Sequence, residues 1–162
     1  MTLADQVARA WLRRLATDKN PVIYTAIFLD PMDKRTLLKR FEPLHPVLHA
    51  HHMTIWFFKD GEERFEGLQE LPLGKTIPLK IVGYVADDKA QLVVVRPPAN
   101  LLPASGRTPH ITISTVEGVL PVYANTLIAK AWDAGEARKG FPAIRGKVGW
   151  FDGQRERFDL PK

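Results

Sequence analysis

Apolar residues recur at Leu3, Val7, Trp11 and Leu15, the four-residue spacing of one face of a helix, and predict an amphipathic helix over 3–17 with Thr2 as N-cap. At residue 21 the pattern changes. The β-branched run "PVIYTAIFLD" (21–30), bounded by Asn20-Pro21 and Asp30-Pro31, predicts a strand. "DKRTLLKRFEPL" begins at a capping-type Asp33, sets Leu37, Leu38 and Phe41 on one side and stops at Pro43, which predicts a short helix. Residues His52 to Phe58 read as a strand, followed by turn chemistry in "DGEERF". Two apolar runs in "TIPLKIVGYVADDKAQLVVVRPP" flank "ADDKAQ" as a β-hairpin that Pro97 and Pro98 end. After the breaker-rich "NLLPASGRTP" come a strand at 110–116 and a helix from about Val122 to Arg138 carrying Leu127, Ile128, Ala131 and Trp132. A last hairpin turns at Asp152-Gly153. The order α-β-α-β-β-β-β-α-β-β predicts an α+β fold, and the absence of any linker composition makes residues 1–162 a single domain.

Composition narrows the chemistry. The 162 residues are 45% hydrophobic and 25% charged, enough for one real core and unlike a disordered chain. With no cysteine, disulfides, thiolate nucleophiles, iron–sulfur clusters and thiolate zinc sites are excluded. Neither a leader-type apolar stretch at the start nor an 18-residue apolar span later is present, so the expectation is a soluble, cytoplasmic monomer with no membrane partner. A formal charge of +5 favours an anionic partner such as RNA or a nucleotide. The basic residues are scattered rather than blocked; the densest zone runs from Arg138 to the C-terminus.

The informative feature is a repeated tetrad. "HMTI" (52–55) and "HITI" (110–113) are both His, apolar, Thr, Ile, and each opens a predicted strand. Serine plus threonine number only 12 in the chain, so coincidence explains the pair poorly. Strand alternation sets His52, Thr54 and Trp56 on one face, and His110, Thr112 and Ser114 on one face of the second copy, with apolar residues turned away. If the two strands are neighbours, two imidazoles and two hydroxyls converge. Imidazole titrates near 6.5, so one ring can act as general base while the other is the general acid. Threonine hydroxyls can donate hydrogen bonds to the non-bridging oxygens of a phosphate during in-line displacement. The set suits phosphoester chemistry without a metal or other cofactor.

These residues resemble the two-histidine phosphoesterase superfamily, whose members carry two His-x-Thr/Ser-hydrophobic motifs. The lead-in "GRTPHITIST" and the trailing "EGVLPVYANTLI" look most like the cyclic phosphodiesterase-like domains related to those of eukaryotic tRNA ligases. The resemblance spans about residues 21 to 158 and leaves the N-terminal helix without a role. It implies a bilobal, pseudo-twofold fold with antiparallel sheets lining a central cleft and helices outside. It also implies His52 and His110 as the catalytic pair and cleavage of 2′,3′-cyclic phosphates of nucleotides or RNA ends. Two other readings stay open: cleavage of cyclic di- or oligonucleotide signals, and a non-catalytic module that holds RNA or phosphate.

Further residues are candidates for substrate contact. Trp56 could stack on a base, Tyr24 and Tyr123 could line the rim, Arg107 could pair with a phosphate, and Ser114 continues the polar face. "HPVLHAHH" (45–52) invites a metal-cluster reading, but Pro46 disfavours the helix that would align His45 with His49, and carboxylates are few nearby. His51, facing opposite His52 by alternation, reads as a strand-entry residue.

Overall fold

The computed structural model describes residues 2–4, 6, 22–57, 70–103, 106–133 and 139–160. The expected helix over 3–17 and the "DGEERF" turn lie almost wholly outside the described residues. The rest forms strands β1 (Tyr24–Leu29), β2 (Val47–Leu48), β3 (His52–Phe57), β4 (Thr76–Ala86), β5 (Ala90–Arg96), β6 (His110–Thr115), β7 (Ala143–Phe151) and β8 (Glu156–Arg157), with helices α1 (Pro31–Arg40) and α2 (Tyr123–Ala131).

The strands are antiparallel in the order β1-β3-β6-β5-β4-β7, and β7 pairs back onto β1, closing a six-stranded barrel; β2 adds to β6 and β8 to β7. The α+β class expected from the sequence is therefore met. Closure removes the free edges that an antiparallel sheet would otherwise expose. Every barrel strand sends alternate residues into one core: Ile27, Met53 and Ile55, Leu79 and Ile81, Val93 and Val95, Ile111 and Ile113, Ile144 and Val148, with Leu37 of α1 among them.

A second cluster lies on the outer face of β4 and β5, where Val82, Val85, Leu92 and Val94 meet Ala124, Leu127 and Ile128 of α2. Both faces of β5 are therefore covered, which is why its sequence is apolar without alternation. Along β1, β3 and the start of β6 no described helix covers the outer face, and that is where the tetrads' polar residues emerge.

Local chemistry explains most element ends. Asp30 occupies the N-cap position of α1 and Pro31 supplies a preset φ for its first turn, so the helix starts earlier than Asp33, which is buried with Arg145 Nε 3.5 Å away. Asp87 Oδ1 accepts from the amides of Lys89 and Ala90, and Asp152 Oδ1 from those of Gln154 and Arg155, fixing the two hairpin turns. α2 stops at Trp132, which is extended (φ −120°, ψ 133°); residues 134–138 lie outside the described set. The indole of Trp132 lies so close to Gly83 that a Cβ there would come 2.3 Å from Nε1, so the close approach requires glycine.

Candidate active site

One bridge, Met53 to Ile111, joins β3 to β6. Partners across an antiparallel pair point to the same side, and both of these are fully buried, so they face the core. The flanking His52, Thr54, His110 and Thr112 therefore share the opposite face. Their burial repeats in step: half-buried, buried, half-buried, buried in each tetrad. No side-chain hydrogen bond among the described residues engages either threonine hydroxyl. The structure brings the four predicted residues together.

The strand geometry at this junction is irregular in ways alternation could not anticipate. Leu48 pairs with Ser114 and the Ala50 amide donates to the Thr112 carbonyl, yet three residues on, Met53 pairs with Ile111. The chain gains two residues on its partner here, and Ala50 adopts a left-handed φ of 52° to do so. His51 and His52 are the extra pair. His52 rejoins regular pairing opposite Phe28 of β1.

Each tetrad then ends in a bulge at its isoleucine. On β3, Trp56 pairs with Thr25 and Thr54 with Ala26, leaving Ile55 unmatched; on β6, Ser114 pairs with Gln91 and Thr112 with Leu92, leaving Ile113 unmatched. Beyond each bulge the faces exchange. Phe57, not Trp56, falls in the row with Tyr24 and the site histidine; the Trp56 row continues through Thr25 to the buried Trp150. Likewise Ser114 does not continue the polar face. It is fully buried, donates to Gln91 Oε1 at 2.6 Å and accepts from the His45 amide, clamping the 42–45 segment to the barrel.

The remaining candidates separate by position. Tyr24 stacks on His52 with ring centroids 4.9 Å apart, and on Phe151 and Phe57 at 5.2 and 6.3 Å, forming an aromatic wall on which Phe57 is 60% exposed. Burial, aided by the nearby Glu156 carboxylate, pushes the Tyr24 phenol up to about 12. Arg107 is exposed, and its charge bears on His110. Tyr123 stands apart: its hydroxyl donates to Asp87 in the β4–β5 turn, at the Thr115 end of β6 rather than the His110 end.

The other histidines disperse. His45 Nε2 lies 3.0 Å from the Asp87 carbonyl and His49 Nε2 3.0 Å from Thr115 Oγ1. Among the described residues no three His, Cys, Asp or Glu side chains are grouped to hold a metal ion. His51 instead reaches the site, with Nδ1 2.9 Å from His52 Nδ1 and Nε2 2.5 Å from Glu156 Oε1. Sequence reasoning missed both His51 and Glu156, because a two-residue bulge and a terminal hairpin bring them in.

The two site imidazoles are both held toward the neutral form. Loss of hydration on burial, then the neighbouring His51, His110 and His49, lowers His52 to about 3. His110 is lowered by burial and by Arg107, against the Thr108 carbonyl, which favours its charged form. That carbonyl, 3.0 Å from His110 Nδ1, can only accept, so Nδ1 carries the proton and Nε2 is left for chemistry.

No family model and no curated protein matches this sequence. Among solved structures the chain is similar to a fungal RNA kinase, with a TM-score of 0.53 and 17% identity over 89% of this chain and 44% of that one. The likeness is one of fold, and this chain spans less than half the length of that enzyme.

Proposed function

We propose that this protein is a metal-independent phosphodiesterase of the two-histidine type that hydrolyses 2′,3′-cyclic phosphates of nucleotides or RNA ends. The observation that carries the reading is the convergence of His52, Thr54, His110 and Thr112 on one face across the Met53–Ile111 bridge. Matching bulges and matching burial in the two tetrads support a pseudo-twofold site. The similar structure belongs to an enzyme that acts on RNA, which suits an RNA-end substrate.

In this reading His52 Nε2 takes a proton from water as its oxygen attacks phosphorus. The opposite P–O bond breaks, and His110, doubly protonated when the phosphate is bound, gives its Nε2 proton to the departing ribose oxygen and keeps the Nδ1 proton on the Thr108 carbonyl, leaving a phosphomonoester. A bound phosphate brings the negative charge that raises both imidazoles toward their working range. Thr54 and Thr112 donate to the non-bridging oxygens as charge builds there. Tyr24 and the exposed Phe57 give the base a stacking surface beside the phosphate, and Arg107 adds positive potential at the His110 side.

The test is incubation with the four nucleoside 2′,3′-cyclic phosphates and chromatography of the products, wild type beside the His52→Ala/His110→Ala double variant. Conversion to a 2′- or 3′-monophosphate that persists in EDTA and disappears in the double variant is expected. Turnover abolished by EDTA and restored by zinc, or retained in the double variant, sinks the reading.

A further inference from the structure

We infer that Glu156 and His51 form a side-chain relay that fixes which nitrogen of His52 faces the substrate. The inference deepens the proposed function and rests on it for the role of His52, but its geometry stands by itself.

A carboxylate accepts and cannot donate, so the proton in the 2.5 Å contact between His51 Nε2 and Glu156 Oε1 belongs to His51 Nε2. A His51 that holds this proton alone presents a bare Nδ1. The 2.9 Å approach of the two Nδ1 atoms is then satisfied by His52 donating from Nδ1. His52 Nε2 is left with its lone pair, and no described residue takes it. The uncommitted tautomer of imidazole would leave the wrong nitrogen protonated for a base; here a chain of two hydrogen bonds selects the right one.

The rings are held so that the chain persists. His51 and His52 meet edge to face, with centroids 5.2 Å apart, and Phe28 contacts both at 5.5 and 5.9 Å. Phe158 closes on Phe28 at 5.8 Å. This C-terminal segment lies across β7 at Gly149, where a Cβ would come 2.4 Å from the Arg157 carbonyl. Arg157 in turn lies over Trp150 and 3.5 Å from Asp152, while Trp150 Nε1 donates to the Asp159 carbonyl. The last hairpin therefore acts as a strap whose job at the site is to deliver one carboxylate. Glu156 and His51 are positioning residues; neither is placed to touch phosphorus.

The experiment reads the His52 tautomer directly, by long-range ¹H–¹⁵N correlation of the imidazoles at pH 7.5 without substrate. Wild type is expected to show His52 protonated at Nδ1, with His51 at Nε2. In His51→Ala the His52 proton should move to Nε2, and kcat should fall on the order of tenfold or more with KM little changed. His51→Asn, whose carbonyl oxygen can accept where Nδ1 did, should restore the Nδ1 proton and most of the rate. Adding Glu156→Gln should then have no further effect, although Glu156→Gln alone weakens the tautomer preference. His52 protonated at Nε2 in the wild type, or a tautomer indifferent to His51→Ala, overturns the relay. A relay seen by NMR in a protein that opens no cyclic phosphate overturns the proposed function and leaves the relay standing.

Discussion

The two tetrad strands are alike in sequence, in burial rhythm and in the place of their bulge, and they differ in what stands behind each histidine. His110 is braced by a backbone carbonyl two residues away, Thr108, and lies near the exposed Arg107. His52 is braced by side chains from elsewhere in the chain, His51 and through it Glu156, and is walled by Tyr24 and Phe28. Two tetrads that differ only in their second letter thus set their histidines in non-equivalent surroundings. A local carbonyl holds a ring in one orientation whatever its neighbours do, whereas a relay of titratable groups makes the other ring depend on distant residues. In the proposed mechanism the relayed side supplies the base and the carbonyl side the acid, and the two braces give that proposal a point of attack.

The largest expected effect removes either member. His52→Ala and His110→Ala should each lower kcat by about 10²–10⁴-fold, and the double variant should be little worse than either single one, since the pair acts as a unit. Steady-state rates on a nucleoside 2′,3′-cyclic phosphate decide this; multiplicative losses would argue that the rings work separately. Next, Thr54→Val and Thr112→Val should each lower kcat by about 10²-fold with KM nearly unchanged, as expected of donors that tighten in the transition state.

The pH dependence sharpens the comparison further. Because burial lowers both histidines, the alkaline limb of kcat/KM, which reports loss of the His110 proton in the free enzyme, should lie below the ordinary 6.5. Stability responds in the matching direction. Between the His52 value of about 3 and 6.5 the unfolded chain binds a proton that the folded protein refuses, so stability is retained above 6.5 and lost as pH falls, by up to about 1.4 kcal/mol per pH unit for His52, with His110 acting in the same direction. Urea midpoints at pH 7.5 and 5.0 should therefore converge more in His52→Asn than in His110→Asn. An equal effect would erase the difference between the two sides.

Smaller effects belong to the surroundings. Phe57→Ala should raise KM about tenfold by removing a stacking face while sparing kcat, whereas Trp56→Phe should raise KM less. Tyr123→Phe, which breaks only the contact with Asp87 at the far end of β6, should leave kcat and KM unchanged.

Much of the fold was legible along the chain. The apolar run of β1, the two-residue period at the start of β3 and β6, the aspartate turns of both hairpins and the helix around Leu37 follow from interactions between residues close in sequence, and those leave local signatures. The two-residue β2 at Val47–Leu48 was not legible, because its only reason is the partner strand β6. The faces of Trp56 and Ser114 were misjudged for a related cause: a single unmatched isoleucine inverts every later side chain, and nothing in the spelling of "HMTIWF" or "HITIST" marks it.

By itself, then, the sequence determined which imidazole and hydroxyl groups lie two apart on one face, the strands that carry them and the apolar residues that orient them, since alternation along one strand suffices for that. Only the tertiary structure decided that the two strands meet at one bridge, that Phe57 replaces Trp56 beside the site, and that a carboxylate near the C-terminus reaches an imidazole at residue 51. Each of those contacts joins groups far apart in the chain, and their geometry is set by the closing of the barrel and the packing of its last hairpin rather than by any local preference.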